Sequence, residues 1–137
     1  MTSVNKRQAG RQSGFTFLEL LIVMTIMAIL AMVAIPTFMA HIRSARETRL
    51  QQDLMVMRDA IDHFTVDKEK APQSLQELVT GGYLRALPED PITRSTDSWR
   101  IEMESESVGG NNAPPGIRNV HSGADGNDQN GKAFSEY

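Results

Sequence analysis

One acidic residue at the start of a long apolar segment is the first feature of this sequence with chemical meaning. Glu19 follows the pair Gly14-Phe15, and residues 20–40, a run of 21 positions, then carry no charge. As an α-helix this run is about 31 Å long, close to the thickness of a bilayer core. A carboxylate in such a span is costly, which indicates a partner or a function, although one near the interface can also reach water. Glu19 is therefore a candidate functional residue.

A second group of chemically capable residues lies near the end of the sequence. Asp125, Asn127 and Asp128 bring side-chain oxygens close together, between glycines that let backbone carbonyls turn inward. Hard cations such as calcium bind in oxygen-rich loops, although no acid closes a twelve-residue loop as in an EF-hand. The same composition is typical of an ordinary turn-rich tail. Both interpretations are open on composition alone.

Other chemistry is poorly supported. The chain has no cysteine, which excludes disulfides, thiolate metal sites and a cysteine nucleophile. Small exported proteins are often stabilised by a disulfide, so an exported chain without cysteine must be stabilised in another way. The three histidines are isolated, and no nucleotide-binding loop, Ser/His/Asp set or zinc spacing is present. We expect a protein that is not an enzyme.

The charge distribution predicts a membrane topology. Lys6, Arg7 and Arg11 precede the apolar run without any acid, and without them the chain has 11 basic against 17 acidic residues, a net charge of −6. A basic leader keeps the N-terminus in the cytoplasm, so the remainder lies across the membrane. The acidic remainder argues against a nucleic-acid partner.

Periodicity predicts one long helix followed by a small mixed region. The stem runs from about Phe15 to about Val66, with Pro36 expected to kink or loosen it, and its second half is amphipathic from Ile42 to Phe64. A short helix over Ser74–Thr80 has the capping-box pair Ser74 and Glu77. Two segments around a polar loop (residues 104–115) read as strands, residues 99–103 with alternating burial and residues 116–121. The predicted fold is α+β, with the amphipathic half of the stem packed on a small antiparallel sheet of two or three strands.

The segment Gly14-Phe15-Thr16-Phe17-Leu18-Glu19, with its basic leader and apolar run, resembles the class III signal of type IV pilins and pseudopilins. The resemblance implies a pilin-like fold and cleavage by a prepilin peptidase between Gly14 and Phe15, with N-methylation of Phe15. In an assembled filament, Glu19 would then pair with the N-terminal amine of a neighbouring subunit, because a carboxylate among apolar stems needs a cation.

Two further segments resemble the major, G-type pseudopilin of type II secretion. One runs from Ala71-Pro72 through Gly82-Tyr83-Leu84 to Asp90-Pro91, and the other is Ser122-Gly123-Ala124-Asp125-Gly126. The second implies structural calcium, with ligands from Asp125 and the backbone carbonyl of Ser122. The family has another aspartate near the C-terminus that is absent here, and the candidates to replace it are Asp128, Ser135 and Glu136.

Together these features predict a leader (residues 1–14), a transmembrane and filament-core helix (15–40) and a periplasmic pilin-like head (41–137). The expected function is that of a structural subunit of a type II secretion pseudopilus that drives protein export. Its expected partners are copies of itself, the prepilin peptidase, minor pseudopilins and the inner-membrane secretion platform. The alternatives are a type IV pilin of a surface pilus for adhesion or motility, and a membrane-anchored periplasmic binding or enzymatic domain.

Overall fold

The structure, a computed structural model, describes residues 14–105 and 114–137. The predicted leader up to residue 13 and most of the predicted polar loop lie outside the described residues. In the described part, five elements follow in chain order: helices α1 (Phe17–Lys68) and α2 (Leu75–Thr80), strands β1 (Arg100–Met103) and β2 (Ile117–His121), and a short 3-10 helix (Phe134–Glu136). The chain divides into two compact units, with the boundary between Met39 and Ala40.

The first unit holds the apolar part of α1. The helix begins at Phe17 and passes through Pro36 without a break. The lost N–H of a proline removes one hydrogen bond, and the hydroxyl of Thr37 donates to the carbonyl oxygens of Val33 (3.2 Å) and Ala34 (2.9 Å) in the same turn. This part of α1 is long and apolar enough to cross a membrane, by length and composition.

The second unit has its own hydrophobic core, which is built on the later turns of α1. Side chains three or four positions apart form its buried stripe: Leu50, Leu54, Met57, Ala60, Ile61 and Phe64. They pack with residues from α2, the segment before β1, β2 and the tail, among them Leu78, Trp99, Ile117, Val120 and Phe134. The predicted amphipathic helix is confirmed, but its buried stripe begins at Leu50, because Ile42 is only half-buried.

The sheet consists of β1 and β2 in antiparallel register, with Ile101 opposite Val120 and Met103 opposite Ile117. The prediction of a half-buried β1 is wrong, because all four of its residues are exposed. Ile101 is 48% exposed and Met103 45%, whereas their partners on β2 are fully buried. The physical reason is position: β2 contributes Ile117 and Val120 to the core, whereas β1 pairs with β2 and contributes no residue to the core.

Helix α2 begins one residue later than predicted and ends at the predicted Thr80, but the predicted capping box between Ser74 and Glu77 is not formed. Ser74 occupies the N-cap position in an extended conformation, yet its side chain makes no capping hydrogen bond. The carboxylate of Glu77 instead accepts the backbone N–H of Gln73 at 3.2 Å. The helix ends at Gly81, and Gly82 follows with a φ of +80°, a conformation that favours glycine.

Candidate functional site

The start of α1 is fixed by a side chain. The hydroxyl oxygen of Thr16 accepts the backbone N–H of Glu19 at 3.2 Å, and its carbonyl accepts the N–H of Leu20 at 3.2 Å. Thr16 is therefore the N-cap, which satisfies one of the free N–H groups of the first turn. This role is not among the expectations above, although Thr-x-x-Glu directly before an apolar run is a capping-box signal.

Glu19 lies in this first turn and is exposed. The free N–H groups at a helix N-terminus carry partial positive charge, so the position favours a carboxylate before any partner is considered. Glu19 therefore has a local role at the helix start beside the intersubunit role that the resemblance implies. The pairing with a neighbouring amine stays a prediction.

Gly14 and Phe15 precede the helix and are exposed. Among the described residues, no atom lies within 4 Å of the place where a Cβ on Gly14 would be, so packing in that part of the chain does not require a glycine there. The peptide bond between Gly14 and Phe15 is accessible and lies outside helical hydrogen bonding. These are the properties that a peptidase needs in a substrate. Any requirement for a residue as small as Gly14 must therefore come from the peptidase.

Ser122, a predicted ligand position, is fully buried inside the second unit. It forms a hydrogen-bonded pair with Asp90, here called the buried tie. Its hydroxyl donates to the carboxylate of Asp90 at 2.6 Å and accepts the N–H of Ala124 at 3.1 Å. Asp90 is also fully buried, and its other oxygen accepts the backbone N–H groups of Ile92 (2.8 Å) and Thr93 (3.3 Å). The two residues join the turn after α2 to the end of β2.

Sequence reasoning found the turn at Asp90-Pro91 but missed the structural role of Asp90. The available signal was local: aspartate at the first position of a turn and proline at the second favour a side-chain bond to a later N–H. Its partner Ser122, 32 residues away, has no such signal.

Asp128 is nearly buried, and its carboxylate is filled by groups of its own segment. One oxygen accepts the N–H groups of Asn130 and Lys132, both at 2.8 Å, and the other accepts the hydroxyl of Tyr137 at 2.5 Å. The bond from Tyr137 holds the pKa of the Asp128 carboxyl below its usual value and raises the pKa of the Tyr137 hydroxyl.

Calcium needs six to eight oxygen ligands, and the donors present do not fit that requirement. The carboxylate of Asp128 is already filled by hydrogen-bond donors and Asp125 is exposed, while the Ser122 hydroxyl serves Asp90, which leaves the Ser122 backbone carbonyl as the predicted ligand atom. Across residues 14–105 and 114–137, no three histidine, aspartate or glutamate side chains are grouped as a metal centre would need. Calcium at Ser122, Asp125 and Asp128 stays a prediction from resemblance.

A long helix that opens with an exposed Gly-Phe peptide, joined to a small α+β head, defines a protein of the type IV pilin-like class. A comparison with family models agrees: residues 9–35 match the prokaryotic N-terminal methylation motif. No solved structure matches the chain significantly.

Several relatives are named type II secretion system core protein G. The one from Klebsiella pneumoniae is 34% identical over 97 residues, which cover 59% of this chain and 69% of the relative. That from Aeromonas hydrophila is 33% identical over 100 residues (61% and 70%), and that from Vibrio cholerae 31% over 100 residues (62% and 68%). The chain belongs to this family, the major pseudopilins, and its apolar helix anchors it in the inner membrane.

Proposed function

We propose that this chain is a structural subunit of a type II secretion pseudopilus, which is cut by a prepilin peptidase and polymerised into a periplasmic filament that drives export. One observation carries the proposal. The segment Gly14–Glu19 stands at the start of a 52-residue helix whose first part is apolar and whose second part builds the core of a small head. A filament subunit needs such a stem and such a processing signal, and nothing in this design requires catalysis by the chain.

Cleavage between Gly14 and Phe15 is compatible with the local structure. The bond lies before Phe17, where α1 begins, and both flanking residues are exposed. The capping bond from Thr16 to Glu19 lies on the mature side of the cut. The mature chain therefore keeps its helix start, and the new amine of Phe15, the proposed site of N-methylation, stands one residue before the cap.

Glu19 is proposed to pair with that amine on a neighbouring subunit. Its carboxylate lies among apolar residues, since Phe17, Leu18 and Leu20 surround it in sequence and are largely exposed. When stems pack together in a filament, this surface loses water, and an unpaired carboxylate becomes costly. The amine of Phe15 in the next subunit supplies the missing cation.

The head is proposed to lie in the periplasm, with the N-terminus in the cytoplasm before processing. The basic leader supports this orientation through the positive-inside rule. The proposed partners are other copies of the chain, the prepilin peptidase, minor pseudopilins and the inner-membrane secretion platform. The names of the relatives favour this role over a surface pilus for adhesion or motility.

The test combines processing and assembly. Intact mass spectrometry of the protein from membranes should give residues 15–137 plus one methyl group. Glu19→Val and Glu19→Gln should be processed to the same point but fail to form filaments, while Glu19→Asp, which keeps the charge, should retain part of the assembly. Normal filaments from Glu19→Val would refute the pairing, and long surface pili at native expression would refute the pseudopilus.

A further inference from the structure

The end of the chain folds into a closed turn, here called the C-terminal hairpin (residues 126–134). Asn127 and Ala133 form an antiparallel bridge, the N–H of Asp128 donates to Lys132 O at 2.8 Å, and that of Phe134 to Gly126 O at 3.1 Å. Gly126 has a φ of +97°, in the region that favours glycine. Backbone hydrogen bonds thus close the hairpin from both sides.

The inside of this turn is filled by a carboxylate and its donors. Asp128 accepts two backbone N–H groups within the hairpin, from Asn130 and Lys132, and the hydroxyl of Tyr137 beyond it. These donors supply what a bound cation would supply, because each places positive charge density on a carboxylate oxygen. A metal ion could bind Asp128 only by displacing them.

Positive side chains of the protein also occupy this region. The guanidinium of Arg43 on α1 donates to the backbone oxygen of Asn127 at 2.8 Å, and the ammonium of Lys132 lies 4.0 Å from the centre of the Tyr137 ring. A carbonyl that binds a guanidinium is not directed at a metal, and two nearby cations repel a third. The charges of the hairpin are balanced by protein groups.

The hairpin is attached to the core by aromatic residues. Phe134 is buried in the hydrophobic core, and the ring of Tyr137 lies 6.5 Å from it. The backbone oxygen of Tyr137 lies 2.7 Å from Nδ1 of His121, the last residue of β2. Tyr137 therefore links three things: the carboxylate of Asp128, the core through Phe134, and the sheet.

We propose that the C-terminal hairpin is closed without a metal ion, with the Asp128 carboxylate and the Tyr137 hydroxyl holding the segment that structural calcium holds in the proteins it resembles. The proposal is independent of the filament role, since it concerns how the head is stabilised. The carboxylate of Asp128, a predicted calcium ligand, then serves as a hydrogen-bond acceptor, and Asp125 is a surface residue.

The experiment uses the full-length chain in detergent, with unfolding followed by the fluorescence of its single tryptophan, Trp99, which is buried. Midpoints are measured in calcium and in a chelator for wild type, Tyr137→Phe and Asp125→Asn. We expect no calcium effect on wild type and no effect of Asp125→Asn. Tyr137→Phe, which removes only a hydroxyl, should lower the midpoint by about 5 °C under both conditions.

Two results would overturn the proposal. One is a rise of several degrees with calcium in wild type that disappears in Asp125→Asn, which would establish a calcium site. The other is an unchanged midpoint in Tyr137→Phe, which would show that the Asp128–Tyr137 bond does not hold the hairpin. Because Tyr137→Phe keeps the aromatic ring, it should fold even if Asp128 variants do not.

Discussion

Replacing Asp90 by alanine tests the buried tie between the turn after α2 and the end of β2. The carboxylate of Asp90 is fully buried and accepts three hydrogen bonds, from the N–H groups of Ile92 and Thr93 and from the hydroxyl of Ser122. Alanine removes all three acceptor contacts at once. The donors remain in place, and the burial of each decides how much its loss costs.

The magnitude follows from which donors can reach water. Thr93 is exposed and Ile92 half-buried, so solvent can replace part of their lost bonds. Ser122 is fully buried, so its hydroxyl loses its acceptor outright. A hydrogen bond to a charged group contributes about 1.5–3 kcal/mol, and a stranded buried donor costs about 1–3 kcal/mol. We therefore expect Asp90→Ala to lower the free energy of unfolding by about 3 kcal/mol, a large share of the roughly 5–15 kcal/mol of a typical domain.

The assay is urea unfolding of the full-length chain in detergent, read by the fluorescence of Trp99. This probe is close to the perturbation, since its indole N–H donates to the carbonyl of Pro88 at 2.8 Å. Glu89→Ala is the matched control, because Glu89 is the adjacent acid and is exposed. Ser122→Ala should cost less than Asp90→Ala, since it leaves the two backbone donors of the turn satisfied.

The reasoning would be refuted if Asp90→Ala destabilised the protein no more than Glu89→Ala. It would also be refuted if the double variant of Asp90 and Ser122 lost the sum of the two single losses, since residues in direct contact should couple.

Three further predictions concern other parts of the chain. Gly14→Arg should block processing while Gly14→Ala is tolerated, and an arginine variant of wild-type mature mass would contradict the assigned cut. Gly123→Ala should destabilise the head by about 1–3 kcal/mol or more, because its methyl would overlap the Ser98 carbonyl. Gly126→Ala is a comparison in which nothing lies within 4 Å of the new methyl, so its cost comes from the φ of +97° alone. The hydrogen bond with His121 lowers the pKa of Glu102. The stabilising effect of this bond is therefore present at neutral pH and lost as pH falls through the lowered pKa. In thermal melts across an acid pH series, Glu102→Gln should reduce the dependence of the midpoint on pH.

Periodic features of the sequence predicted the elements of the fold well. The buried stripe of α1 consists of apolar residues three or four positions apart. An α-helix places such residues on one face irrespective of the rest of the chain. The alternation in β1 carried less information, because it shows which side chains share a face of a strand. It does not show whether anything covers that face, and Ile101 remains half-exposed beside its buried partner Val120.

For the candidate site as well, local features could be predicted from the sequence and contacts between distant residues could not. The signal Gly14–Glu19 is contiguous, so it could be found from the sequence, and the cap at Thr16 could have been found with it. The tie between Asp90 and Ser122 spans 32 positions, and the bond between Asp128 and Tyr137 depends on a turn that brings them together. An aspartate in a glycine-rich tail suggests a metal from composition alone, since composition does not reveal which donors the fold brings to it.

Arginine side chains of α1 reach distant parts of this cysteine-free head through contacts that differ in strength. Arg43 bonds Asn127 across 84 positions, but that contact is exposed, and water and salt weaken an exposed charged contact. The guanidinium of Arg58 reaches the carbonyl of Val120 at 2.9 Å in a partly buried setting. Losing a bond made away from water costs more, because a buried group that is left without its partner cannot turn to water instead. The buried carboxylates should therefore carry most of the stability that a disulfide would otherwise provide, and Arg43→Ala should cost far less than Asp90→Ala.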